Sequence, residues 1–462
     1  MHLETSPLHS PVIDQRNRAI RRWLRVYPVG VLLLYGLALY VLITSLVTGW
    51  MALNFRIAGG PLLAGGLQED PLYELGTSLG FWGTIYFGLN FVLATRWRGV
   101  EWLFGGLDKV YQAHNFAGRL ALTLLVLHGG ILILQAIPDQ VLLTTYLLPG
   151  VNWGYTTGVA GLLLLVLLVA LTIWVKLPYQ TWLASHKWMG VPYVLGGLHA
   201  ILLQGDWYMI ALTTLGAYAW LYILFWYPTH GHRTEGQLAA VHRKGALTEL
   251  VITLARPMAS QAGQFAFIAI PDAPGRITPE VHPFSISGRP DAYTLRISAK
   301  ALGDYTRTLA LAQPGDKVAV WGPYGSFGRA LEDETTDMVW VAGGIGVTPF
   351  LDMLQHEQRR ESHTDRRIDF FWTVAKTEDA IYWDELEQAR AQLPHLHVHL
   401  HVTSAQGLLT ADRIAAVVGD GRLATATFLL CGPKPMMHAL RTQLQAKGVQ
   451  RPEIMSEEFG MR

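Results

Sequence analysis

The sequence predicts a multidomain protein: an all-α six-helix transmembrane bundle, then an antiparallel β-barrel, then an α/β domain. Three observations carry this. Six long apolar runs crowd the first half of the 462 residues. After Pro228 the apolar runs shorten and alternate, and from about residue 338 strand-like and helix-like segments take turns. Hydrophobic residues make up 51% of the chain and charged residues only 15%, which suits a membrane protein with a soluble half. A net charge of +1 points neither to nucleic acid nor to acidic substrates.

Residues 1–28 are polar and end in a basic cluster, Arg16, Arg18, Arg21, Arg22 and Arg25. They lack the basic-then-apolar order of a signal peptide, so the first apolar run is expected to be retained. The six runs lie near 29–48, 79–95, 110–136, 155–175, 185–203 and 207–227. Most approach or exceed the roughly 20 residues that span a bilayer. Arg96, Arg98, Lys109, Lys176, Lys187 and Arg233 gather on the N-terminal side of the spans. The opposite connections hold Arg56, Glu69, Asp70, Glu74, Asp139 and Asp206. The positive-inside rule then places both termini in the cytoplasm, with residues 29–228 forming the membrane domain. Tryptophans 50, 97, 102, 153, 174, 182 and 207 sit near run ends, as an interfacial belt does.

The histidines set the chemistry. His114 and His128 share one run, and His186 and His199 share another. Ionisable groups inside a membrane are costly and point to function. Fourteen residues of helix rise about 21 Å and fall about 40° short of whole turns, so His114 and His128 face one way at two levels. The 13-residue spacing of His186 and His199 is about 140° out of register on an ideal helix, and Pro192 between them must disturb the ladder. Covalent haem needs a Cys-x-x-Cys-His motif, which one cysteine, Cys431, cannot supply. A structural zinc site gathers its ligands at one level. Two bis-histidine b-type haems remain, with helix-packing contacts as the alternative for any single histidine.

In the soluble half, LTELVITL, FAFIAI, YTLRIS and KVAVWG read as strands of a barrel within residues 233–330. MVWVAGG, RIDFFWTV, LHVHLHVT and TFLLCG each precede a helical stretch and read as a parallel sheet within residues 335–462. HPFSIS ends a strand, where Ser285 can bond a flavin or simply finish a turn. GDYT (303–306) opens a helix, whose N-terminus favours phosphate. VAGGIGVTPF (341–350) is a strand, a glycine turn and a helix start, the setting in which backbone cradles a pyrophosphate. CGPKPMM (431–437) repeats that turn. His395, His397, His399 and His401 share one strand face, read as the polar side of a half-exposed strand, with a metal site as the alternative.

With these residues in place, the soluble half resembles the ferredoxin-reductase-type flavoproteins. The whole chain from about residue 29 resembles the NADPH oxidase and ferric reductase superfamily, whose histidine spacings of 14 and 13 it shares. The resemblance implies that His282, Pro283, Phe284 and Ser285 lie against FAD, with Ser285 replacing a threonine. It implies that Arg296 or Lys300, then Gly303 and Thr306, serve the flavin phosphates. Gly343, Gly344, Gly346, Thr348 and Pro349, with Cys431, Gly432 and Pro433, are implied to bind the nicotinamide nucleotide. Phe459 is implied to cover the flavin, which makes Phe459 and Cys431 the candidate catalytic residues, although three residues follow Phe459. Lys376 stands where relatives grip the 2′-phosphate of NADPH, while Leu408 replaces an arginine, so a modest preference for NADPH over NADH is expected. Arg119 is a candidate for a haem propionate and Tyr193 for a place between the haems.

The expected activity is transmembrane electron transfer. NADPH in the cytosol supplies FAD and two b-type haems, and an extracytoplasmic acceptor receives the electrons. Oxygen, giving superoxide, is the first reading and a ferric chelate the second. A membrane scaffold without cofactors is a third. The expected setting is the plasma membrane, and the lipid bilayer the expected partner.

Overall fold

The computed structural model describes residues 28–57, 70–177, 179–271, 273, 275–360 and 366–457. The N-terminal arginine cluster and Phe459 lie outside the described residues. The chain divides into two compact units, one ending at His230 and one beginning at Gly231.

The first unit is helical: α1 (Val29–Ile57), α2 (Pro71–Ala94), a short α3 (Arg98–Phe104), α4 (Leu107–Ala136), a short α5 (Gln140–Leu147), α6 (Trp153–Ile173), α7 (Tyr179–Lys187), α8 (Gly190–Leu203) and α9 (Trp207–Leu221). The last continues through a π turn at Tyr222–Trp226 to His230. Among the described residues four helical stretches are long and apolar enough to cross a membrane: Val29–Met51, Leu107–Ala136, Trp153–Ile173 and Trp207–His230. Six were expected, and the difference has two causes. α2 is 24 residues long but its apolar run is interrupted by glycines, Tyr86 and Asn90, which are among its buried residues. The fifth run is broken into α7 and α8, and α8, at 14 residues, rises only about 21 Å.

Side-chain caps begin three of these helices. Asp70 accepts from Leu72 N at 2.9 Å, with Pro71 at the first helical position. Asp139 accepts from Val141 N and Leu142 N, and Asn152 from Gly154 N at 2.8 Å. At the other end of α2, Arg96 donates to the hydroxyls of Tyr111 (2.9 Å) and Tyr227 (3.0 Å). One guanidinium thus joins α2, α4 and the last helix.

The second unit opens with six strands: β1 (Arg233–Lys244), β2 (Leu247–Leu254), β3 (Phe265–Ala269), β4 (His282–Gly288), β5 (Thr294–Lys300) and β6 (Lys317–Tyr324). They close a barrel in the order β1-β2-β5-β4-β3-β6, each pair antiparallel. Leu250, Ile252, Ile268, Ile286, Ile297 and Val320 fill it, one face of each alternating strand as expected. A short α10 (Asp304–Thr308) follows β5.

A five-stranded sheet completes the chain: β7 (Met338–Gly343), β8 (Ile368–Val374), β9 (Leu396–Val402), β10 (Thr427–Cys431) and β11 (Ile454–Glu457). The order is β11-β10-β7-β8-β9 and every pair is parallel. Helices α11 (Thr348–Gln358), α12 (Trp383–Gln392), α13 (Ala411–Val418) and α14 (Lys434–Ala446) cover it. Every residue of β7 and β8 is buried, as a parallel sheet sheathed on both faces requires.

Barrel and sheet meet through buried polar contacts. Asp352 of α11, 1% exposed, accepts from Arg289 Nε and Gly263 N, both at 3.0 Å. Gln355 Oε1 accepts from Arg289 N. Arg296 of β5 forks onto Glu385 at 2.6 and 3.0 Å, and Tyr382 donates to Ser298 Oγ at 2.7 Å. Burial pushes the Asp352 carboxyl above the usual range against the pull of Arg289, so this pair adds little net stability, whereas breaking it strands a buried charge. Asp352→Ala is expected to destabilise the soluble half by about 3 kcal/mol, measured as a fall of roughly 10 °C in its melting midpoint.

Candidate functional site

The four membrane histidines come together as two pairs. His114 on α4 and His186 in the last turn of α7 have ring centres 6.0 Å apart. His128 on α4 and His199 on α8 stand 6.1 Å apart. The register conflict on the second run disappears, because Trp188 and Met189 separate α7 from α8 and reset the helical phase between His186 and His199. Pro192 falls in the first turn of α8, where a missing N–H costs nothing.

Three of the four imidazoles are oriented by their other nitrogen. His128 Nδ1 donates to Gly76 O at 2.7 Å, His199 Nδ1 to Gly154 O at 2.8 Å, and His114 Nδ1 to Asn90 O at 3.1 Å. A carbonyl only accepts, so Nδ1 holds the proton and Nε2 keeps its lone pair for a metal. His186 differs: its buried Nδ1 has no hydrogen-bond partner among the described residues, and its ring stacks on Trp182 at 5.2 Å and 12°. A metal–imidazole bond of about 2.0 Å on each side brings two ring centres to about 6 Å. Both pairs have that spacing, so the donor sets fit two iron centres with two imidazoles each. Among the described residues no three His, Cys, Asp or Glu side chains converge for another metal.

Two glycines not singled out in the sequence make this possible. A Cβ on Gly80 stands 2.7 Å from His128 Nδ1, and one on Gly158 stands 2.5 Å from His199 Nδ1. Neither glycine lies near a histidine in sequence, so only the packing of α2 on α4 and of α6 on α8 reveals them. Tyr193 lies between the two histidine levels, packed against Phe87 and Phe91, and its hydroxyl is satisfied by Leu212 O at 2.7 Å. Arg119 is exposed, about 140° around the helix from His114.

In the soluble unit, β4 carries His282, Pro283, Phe284 and Ser285. The His282 ring stacks on Tyr305 at 4.0 Å and bonds Glu280 at 2.8 Å. Thr306 Oγ1 accepts from the N–H groups of Gly303 and Leu302, which closes the turn into α10. The guanidinium of Arg296 is held by Glu385 and Ser287 O, and Lys300 Nζ lies 3.3 Å from Asp379 Oδ1. Both face the α/β sheet.

The two glycine turns meet at the centre of that sheet. Gly343 ends β7 and Gly344 and Gly346 follow it, while Cys431 ends its neighbour β10 and Gly432 and Pro433 follow. A Cβ on Gly346 comes within 2.3 Å of Cys431 O, and one on Gly343 within 2.7 Å of Pro433. Thr348 bonds Ile345 O and Pro349 begins α11. Cys431 is 1% exposed; burial, with Glu457 beside it, pushes its thiol well above the usual range, so it stays protonated. A cleft of about 390 Å³ is lined by Lys244, Lys300, Gly344, Trp372, Lys376 and Tyr382. Lys244, at the end of β1, gave no sequence signal; its place is set by barrel closure.

Two of the strand-face histidines bond protein groups. His399 Nε2 lies 3.2 Å from Asp369, and His401 bonds Gly407 O at 2.8 Å. Burial raises the Asp369 carboxyl, but His399, Arg367 and Arg422 outweigh it and hold it below the usual range. That is the polar-face reading of β9.

Comparison with known proteins follows the same division. A family model described as Ferric reductase like transmembrane component matches residues 79–197. Another, Oxidoreductase NAD-binding domain, matches residues 340–442. One component of the Na(+)-translocating NADH-quinone reductase of Pseudomonas aeruginosa is 31% identical over 160 residues, 32% of this chain and 38% of that protein. The reductase component of propane 2-monooxygenase from Rhodococcus jostii is 31% identical over 154 residues, 31% of this chain and 41% of that protein. The chain thus spans about two fifths of the length of these curated relatives. Among solved structures, flavohemoglobin from Malassezia yamatoensis with bound FAD and heme aligns over 85% of this chain and 98% of its own, at 18% identity and a TM-score of 0.48. The matched domains make the chain a membrane-associated oxidoreductase with a NAD-binding domain. Gly158→Leu fills the space beside His199 and is expected to lower bound iron to about half, read by metal analysis of purified protein.

Proposed function

We propose, from the domain fusion that makes this chain a member of the NADPH oxidase and ferric reductase superfamily, that it moves electrons from cytosolic NADPH across a bilayer. The observation that carries this is the pair of imidazole couples, each about 6 Å between ring centres, at two levels on α4. The bilayer is crossed six times, by α1, α2, α4, α6, the α7–α8 pair and α9, with both termini cytoplasmic in the plasma membrane. His114 and His186 hold the inner haem b, and His128 and His199 the outer one.

Bound in these sites, FAD converts a hydride into single electrons and haem iron carries them onward to an acceptor outside. The chain's own residues bind and orient. His282, Pro283, Phe284 and Ser285 present β4 to the isoalloxazine, while Gly303 and Thr306 build the turn into α10 at which the flavin phosphates would lie. Arg296 and Lys300, which face the α/β sheet, serve the flavin side only through that junction. Gly343, Gly344, Gly346, Thr348 and Pro349 open α11 to the nucleotide pyrophosphate. Cys431, Gly432 and Pro433 wall the nicotinamide side, where a protonated thiol offers shape and a weak donor and not a nucleophile. Phe459 is the residue proposed to cover the flavin.

Oxygen is the acceptor this reading favours, giving superoxide. Asp70 and Asp139, carboxylates of the outer connections, are engaged in capping α2 and α5. They are therefore not arranged to chelate ferric iron, and outer-sphere transfer to oxygen needs no ligand. Lys376 lines the cleft with Lys244 and Lys300, which suits the extra phosphate of NADPH over NADH.

Purified protein is expected to hold two low-spin b-type haems and, given NADPH, to form superoxide faster than it reduces a ferric chelate. His128→Leu should retain one haem and lose transfer to the acceptor while NADPH still bleaches the flavin; an unchanged haem content overturns the assignment. Lys376→Glu should raise the KM for NADPH about tenfold and leave that for NADH nearly unchanged, since one lysine is a single point charge. Equal responses to the two nucleotides remove Lys376 from the phosphate site.

A further inference from the structure

One buried group near the His128–His199 pair has no partner among the described residues. Gln135 lies in the last turn of α4 and is 4% exposed, yet neither Oε1 nor Nε2 has a hydrogen-bond partner among the described residues. An amide buried in this state costs about 1–3 kcal/mol, a cost a membrane core has no water to relieve. Its position is informative. Seven residues beyond His128 is about 10.5 Å of rise and about 20° short of two full turns. Gln135 therefore occupies the His128 face of α4, at the outer level.

Tyrosines close the same end of the bundle. Tyr146 of α5, 6% exposed, belongs to a buried cluster with Leu132 and Ala136 of α4, and Tyr73 and Tyr155 pack against that cluster. The Tyr146 and Tyr155 rings are 4.7 Å apart, and Tyr155 in turn lies 6.2 Å from the His199 ring. The polar atoms on offer are an amide N–H₂ and tyrosine hydroxyls, which can donate to an oxygen anion without imposing a full counter-charge.

We infer that Gln135 and Tyr146 form a binding site for an anionic oxygen ligand on the outer side of the His128–His199 pair. This rests on the two-haem reading above. The ligand chemistry has two sources: a carboxylate of the outer haem itself, or the reduced-oxygen anion leaving it. In either case Gln135 Nε2–H donates to the anion and Tyr146 closes the site from α5, so the orphan amide is paired once the site is filled.

The test uses the full-length haem-loaded protein, with Gln135→Leu and Tyr146→Phe. The midpoint potential of each haem is titrated without oxygen, and the KM for oxygen is measured separately. If the ligand is the haem carboxylate, Gln135→Leu lowers the reduction equilibrium of the outer haem about tenfold, which is 59 mV for a one-electron couple. The inner haem does not move. If the ligand is reduced oxygen, both potentials stay in place and the KM for oxygen rises about fivefold. The inference is overturned if neither quantity changes, or if Gln135→Leu only raises the melting temperature of the loaded protein, as removal of an orphan amide does. Should Gln135→Leu fail to assemble, Tyr146→Phe, which deletes one atom, decides by the same two readings. Wild-type protein lacking a second haem defeats the two-haem reading; two haems with unmoved values in the variants defeat this inference alone.

Discussion

Three of the four histidines in the helical half depend on giving Nδ1–H a carbonyl to bond. In a helix each carbonyl already serves the amide four residues on, so a side chain can share it only by close approach. The chain solves this twice with the same device. Gly76 accepts from His128 while Gly80, one turn later, leaves room for the ring; Gly154 accepts from His199 while Gly158 does the same. Glycines four apart share a helix face, and small residues at that spacing let helices approach closely in a membrane. α2 with α4 and α6 with α8 are therefore two copies of one arrangement, although no repeat is visible in the amino-acid sequence.

The soluble half faces a different constraint, since a hydride moves only when donor and acceptor stand about 3–3.5 Å apart. Barrel and sheet are held by contacts that tolerate little slippage. Asp352, two turns beyond the glycine loop's Gly346, takes N–H groups from Gly263 and Arg289 of the barrel. Arg289 directly follows β4, the strand that carries His282, Pro283, Phe284 and Ser285. The helix following one motif is thus tied to the residue following the other. Tyr382 and Glu385 repeat the tie from α12 to β2 and β5.

How much of this was legible depends on the range over which each feature is decided. The four histidines, the barrel strands and the two glycine turns are local patterns, and the structure contains each where the pattern lies. The break at Trp188–Met189 was legible only as a misfit, a spacing about 140° out of register. The Glu385 partner of Arg296 lies 89 residues away, so nothing near Arg296 distinguished a phosphate ligand from an interdomain tie. Counting apolar runs gave six membrane segments. What the run count could not show is that the fifth run is two helices, α7 and α8.

Cys431 has a practical consequence of another kind. It is the only cysteine in the chain, it is 1% exposed, and burial keeps it as a neutral thiol. Thiolate is the form that reacts with maleimides and nitroxide labels. The natural protein therefore serves as its own cysteine-free background. A cysteine introduced at an exposed position such as Leu408, or in a connection on either side of the bundle, can carry a probe with no prior substitution at the β10 turn.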